Sequence, residues 1–107
     1  MTDPAALVSE AFQTFMREAS EHAQAWGAMV GGLAEASALD KKTSALAYLA
    51  VLAAQRLESG IPFHVQVAKQ AGASREEVVS AILIGLPAAG LGVTQVLPAA
   101  VAAYDAA

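Results

Sequence analysis

Asp40-Lys41-Lys42-Thr43-Ser44-Ala45-Leu46-Ala47-Tyr48-Leu49-Ala50-Val51-Leu52-Ala53-Ala54 begins with an N-cap residue and runs into a stretch, Ala45 to Ala54, that is almost wholly apolar. An aspartate at this place accepts a first-turn N–H. The helix it starts is expected to reach about Leu57. A helix apolar on every side belongs in the centre of a bundle. Ser59-Gly60-Ile61-Pro62 breaks it. Ser59 is the expected cap of the next helix, and Pro62 fits that helix's first turn. This next helix carries His64, Val65, Val67 and Ala68, and Gly72 ends it. Ser74-Arg75-Glu76-Glu77 has the form of a capping box. It opens a helix through Val78, Val79, Ile82 and Leu83 that stops before Pro87. A last helix is expected from about Ala89 to Tyr104. Upstream, Asp3-Pro4 starts a helix through Leu7, Val8, Ala11, Phe12, Phe15 and Met16. The phase shifts around Ser20, and Ala23, Trp26, Met29, Val30 and Leu33 follow on a second helix or on the continuation of one bent helix. Gly31-Gly32 should loosen its end. Strand formers never alternate with polar residues over a useful length. The fold expected is all-α: one domain over residues 1–107, a bundle of about six helices.

Of the 107 residues, 56% are hydrophobic and 15% charged, where a soluble domain carries about 25% charged. Such a composition excludes disorder. The apolar excess points to a subunit interface or to a membrane. Val78 to Tyr104 holds no charge over 27 residues, long enough to span a bilayer. Pro87, Pro98, Gly85, Gly90 and Gly92 interrupt it, the two prolines reading as one helix ending and another being bent, and no basic cluster flanks it. A buried helix pair at a subunit interface is the better reading, with no membrane span. There is no cysteine, which removes disulfides, thiolate metal sites and thiol redox chemistry. The net charge is −4. The six bases (Arg17, Lys41, Lys42, Arg56, Lys69, Arg75) are scattered, so no nucleic-acid partner is expected. Met1-Thr2-Asp3-Pro4 is not basic and leads into no long apolar run, so the expected location is the cytoplasm.

Only His22 and His64 are available for imidazole chemistry. His64 lies one turn into a helix that follows a Gly-Pro break. A helix N-terminus opposes positive charge, which favours the neutral ring, and a neutral imidazole accepts a proton at pH 7. The commoner setting for such a residue is a core histidine bonded to a backbone carbonyl. Glu58 is the carboxylate nearest to His64 in sequence; it orients the imidazole, or it is a solvated charge at a helix end. Glu18, Glu21 and His22 share one turn and read as a polar face, so no metal site is expected. Gly90-Leu91-Gly92 follows no strand and reads as close helix packing, and no cofactor is called for.

The run Leu39-Asp40-Lys41-Lys42-Thr43, the apolar helix, the turn, and then His64-Val65-Gln66-Val67-Ala68-Lys69-Gln70-Ala71-Gly72-Ala73-Ser74-Arg75-Glu76-Glu77-Val78 resembles the carboxymuconolactone decarboxylase superfamily, which includes the alkylhydroperoxidase D-like proteins. Ala81-Ile82-Leu83-Ile84-Gly85-Leu86-Pro87-Ala88-Ala89-Gly90 continues the pattern. The likeness is strongest from Leu39 to Tyr104. The peroxidase branch uses a glutamate followed by Cys-x-x-Cys-x-x-x-His. With that histidine on His64, the cysteine positions fall on Leu57 and Gly60 and the glutamate on Ala45. A thiol peroxidase is therefore chemically excluded. The resemblance implies a helical bundle that self-associates as a trimer or hexamer. It also implies, if catalysis is present, decarboxylation of a small lactone acid with His64 as acid or base and Glu58 beside it. The sequence supplies no clear cationic clamp for a substrate carboxylate, and Lys42 and Arg56 are candidates by default. The alternative is a non-catalytic protein on the same scaffold that binds a small hydrophobic ligand, in an apolar pocket near Trp26, Phe63 and His64, or serves in assembly.

Overall fold

The structure, a computed structural model, describes residues 7–106, which are all-α with no strand. Their helices are α1 (Glu10–Glu18), α2 (Ser20–Ala36), α3 (Lys41–Ala54), α4 (Ile61–Gln70), α5 (Arg75–Leu83), the single turn α6 (Leu86–Ala89) and α7 (Leu97–Asp105). Two 3-10 turns, Glu58–Gly60 and Leu91–Val96, complete the set.

Local hydrogen bonding sets most helix ends. Asp40 accepts the Thr43 N–H at 2.7 Å and starts α3. That bond holds the Asp40 carboxyl below its ordinary range. Ser74 and Glu77 form the expected capping box, with reciprocal bonds of 2.8 and 3.1 Å. Glu77 also pairs with Lys42 at 2.8 Å, which ties the start of α5 to the start of α3. Gly72, at φ +98°, ends α4. Ala73 N–H bonds back to Ala68 and Gly72 N–H to Lys69, the paired bonds of a Schellman cap.

The same cap ends α3 with an arginine in the glycine position. Leu57 N–H reaches Leu52 and Arg56 N–H reaches Ala53, and Arg56 sits at φ 58°. A side chain there crowds the following carbonyl. Arg56→Gly is therefore expected to raise stability by about 1 kcal/mol, read as a shift in denaturation midpoint at unchanged m. A lower midpoint would show that the arginine side chain contributes more than its backbone strain costs.

Leu49, Ile61, Val65, Val78, Ile82, Val93 and Val96 form the centre of the core. They come from α3, α4, α5 and the 91–96 turn, and α7 adds Ala100 and Ala103. Polar contacts fasten α7: Tyr104 Oη donates to the Ala73 carbonyl at 2.8 Å, Lys69 Nζ to the Tyr104 carbonyl at 2.7 Å, and Arg75 Nε to Asp105 at 2.9 Å. No residue of α1 or α2 is buried. These two helices pack on each other through Phe12 and Trp26, with centroids 5.1 Å apart.

Several expectations need correction. Asp3-Pro4 lies outside the described residues. Leu7 and Val8 precede α1, because Ser9 is its cap, accepting from Phe12 N–H at 3.1 Å. The turn at Ala19 makes α1 and α2 two helices. Gly31-Gly32, expected to loosen the end of α2, lies within a helix that runs on to Ala36. Ser59 caps nothing; it lies inside the 3-10 turn, and Gly60 precedes α4. The expected helix from Ala89 to Tyr104 is three pieces. Gly90, at φ 79° and ψ −172°, breaks the chain in a conformation that suits glycine, and Pro98 opens α7 rather than bending a helix. Finally, α3 is not enclosed on all sides, since Tyr48 and Val51 are 46% and 48% exposed.

Candidate functional site

His64 is placed by the sharp entry into α4. The Arg56 cap turns the chain out of α3, and the 3-10 turn carries it back into a helix with Pro62 in its first turn. Gly60 packs on Leu52 at this return, where a Cβ would stand 3.4 Å from a Leu52 methyl. The imidazole then lies across the outer side of α3. Its ring centroid is 4.6 Å from Tyr48, tilted by 51°, and 5.1 Å from Phe63, edge on.

His64 is half-buried and makes no hydrogen bond to a described residue. No buried side-chain nitrogen or oxygen among the described residues lacks a partner, so its ring nitrogens reach solvent. This is not a core histidine tied to a backbone carbonyl. Burial lowers its pKa from the ordinary 6.5, since a low-dielectric setting penalises the imidazolium. With the folded value below the unfolded one, the neutral ring's contribution to stability is complete above about pH 6.5 and is lost as pH falls through the folded value.

Glu58 is exposed on the 3-10 turn. It makes neither a hydrogen bond nor an ion pair with His64 or with any other described residue. Trp26 does not join the site; its ring contact is with Phe12. Lys42 is engaged by Glu77. Arg56 has no carboxylate partner among the described residues, and its guanidinium lies against Gly92, where a Cβ would collide with it. The close helix packing expected of Gly90-Leu91-Gly92 is not found: a Cβ on Gly90 would meet nothing within 4 Å, and Gly92 faces a side chain rather than a helix. Ala45, at the family's glutamate position, is buried in the core. Sequence reasoning missed Tyr48 as the partner ring. It stands within an apolar run and sixteen positions from His64, so only the α3–α4 packing reveals the pair.

A separate concavity lies away from the ring. An open groove of about 620 Å³ runs between α3 and α5, lined by Leu46, Ala47, Ala50, Ala81 and Ile84, with Glu76 and Glu77 at one end. His64 does not line it. No group of three or more His, Asp or Glu with metal-site geometry occurs among the described residues. None of their helices is long and apolar enough to cross a membrane.

The helical bundle thus sets His64 near the start of α4 and the Ser74–Glu77 capping box at the start of α5. Residues 20–106 match the model of the carboxymuconolactone decarboxylase family. The chain belongs to that family. No match to a curated protein or to a solved structure is found.

Proposed function

We propose that this chain is a carboxymuconolactone decarboxylase-like protein without thiol peroxidase chemistry, acting on a small lactone acid with His64 as acid and base. The observation that supports this is a half-buried imidazole with a depressed pKa, free of protein hydrogen bonds and open to solvent. In such a reaction the C–C bond to the leaving carboxylate breaks and its electron pair enters the conjugated lactone. The dienolate then takes a proton. The His64 imidazolium is a stronger acid than an ordinary one because burial disfavours its charge. At rest the ring is neutral: it takes a proton from solvent, passes it to the dienolate carbon and returns to the neutral form. Glu58, on the turn before α4, is assigned to tune the ring, and Arg56, which has no carboxylate partner among the described residues, is assigned to a substrate carboxylate. The same reading treats residues 1–107 as one domain that self-associates as a trimer or hexamer in the cytoplasm. The apolar excess of the composition supports the self-association.

One observation favours a second reading. The walls at His64 are aromatic, and no charged group bonds to it. A scaffold that binds a small apolar ligand without catalysis has such walls. Consumption of 4-carboxymuconolactone by the purified protein separates the two. Turnover that is lost in His64→Gln and altered in pH profile by Glu58→Gln supports the enzyme. No turnover from folded protein, with saturable binding of an apolar probe that quenches Tyr48 fluorescence, supports the binder.

A further inference from the structure

We propose that the apolar face of α2 seats in the α3–α5 groove of a second copy of this chain, in a head-to-tail interface. The inference rests on the self-association proposed above and assigns its two surfaces.

The first surface is a ridge. Trp26, Met29, Val30 and Leu33 recur at i, i+3, i+4 and i+7 on α2 and are 41 to 63% exposed. From Ala25 to Ala34 the helix carries no charge. Gly27, Gly31 and Gly32 have nothing within 4 Å of where a Cβ would stand. Each weakens a helix relative to alanine, and no contact in the single chain offsets that. The second surface is the groove. Thr43, Leu46, Ala47 and Ala50 on α3 repeat the same spacing, and Ser80, Ala81 and Ile84 face them from α5. Small residues on its floor let a helix backbone approach closely, while Ile84, 71% exposed, waits for apolar cover.

The two surfaces match in length. Seven residue steps separate Trp26 from Leu33 and Thr43 from Ala50, about 10 Å of helix in each case. There is also area to bury. The chain exposes 6863 Å², where a compact monomer of its 10.9 kDa exposes about 5,600 Å². The difference exceeds the roughly 800 Å² per partner of a standard interface. Within one chain α2 packs on α1, and residues 37–40 lead from it into α3. In the proposed head-to-tail arrangement each copy presents its ridge to one neighbour and its groove to another, and the assembly closes as a ring when the rotation allows.

The cysteine-free sequence makes the test direct. Met29→Cys and Ala47→Cys, at the middle of ridge and groove, are prepared separately, mixed, unfolded, refolded together and treated with a short bismaleimide. A heterologous contact predicts covalent dimers at least about tenfold more abundant in the mixture than in either variant alone. Leu33→Asp should reduce the sedimentation mass to that of one chain with helicity retained, since the seated ridge would bury an unpaired carboxylate. An intact assembly in Leu33→Asp with no mixed cross-link would overturn the inference and leave self-association standing. A wild-type chain that sediments as a monomer would overturn both. A Met29→Cys/Ala47→Cys double variant that bridges only within single chains would show α2 closing on its own groove, and would also overturn it.

Discussion

Replacing His64 with glutamine is expected to lower turnover of 4-carboxymuconolactone by about 10²–10⁴-fold, the usual range for losing a positioned acid or base. Glutamine is polar and of similar reach, but it exchanges no proton near neutral pH. The folded state should lose far less. The imidazole makes no hydrogen bond to a described residue, so its removal orphans no partner. What goes is ring contact with Tyr48 and Phe63, about 0.5–1.5 kcal/mol for an aromatic pair. Turnover should be compared between wild type and variant at matched sedimentation mass and helicity. Equal turnover in the two would show that the ring only packs, and the acid/base reading would fall with it.

The second large effect concerns stability. Leu49→Ala should cost about 2–5 kcal/mol. Leu49 has no exposed surface and lies in the core with Ala45, Leu52 and Ala53 from the same helix and Ile61, Val65 and Ile82 from the next two. Truncation leaves a cavity that α3 cannot close without moving away from both α4 and α5. Against a total of about 5–15 kcal/mol for a domain, that loss takes a large part of the folded population. Denaturant midpoints should be compared at one protein concentration, because association adds to apparent stability. A change under about 1 kcal/mol would mean that α3 is not the centre of the core.

Signals confined to four or five residues were readable without coordinates. Asp40 with Thr43, Ser74 with Glu77, and Gly72 after α4 are all of this kind, because donor and acceptor lie within one turn. The errors came where a residue type has two common uses. Pro98 bends or begins a helix, and only its register against Val93 and Val96 makes it a beginning. Gly31-Gly32 weakens a helix, yet α2 continues through it. Arg56 at positive φ contradicts local preference, so the end of α3 was expected near Leu57 rather than at Ala54. At the candidate site, His64 was legible as an imidazole at a helix start that follows a glycine and proline break. Its partner was not: sequence proximity favoured Glu58, whereas the α3–α4 packing brings Tyr48 to the ring. The apolar character of α3 was legible too, but its open outer face was not, because composition cannot say which copy of the chain provides the cover.

The central claim is that the His64 ring is neutral and accessible at the head of α4. A proton NMR titration of the two histidine Cε1–H resonances, assigned with His64→Gln, tests it most directly. The account predicts that His64 titrates below 6.5, its ordinary value, as burial without a hydrogen-bond partner requires. A pKa at or above 6.5 would mean that an acidic group holds the ring charged, and would contradict the account.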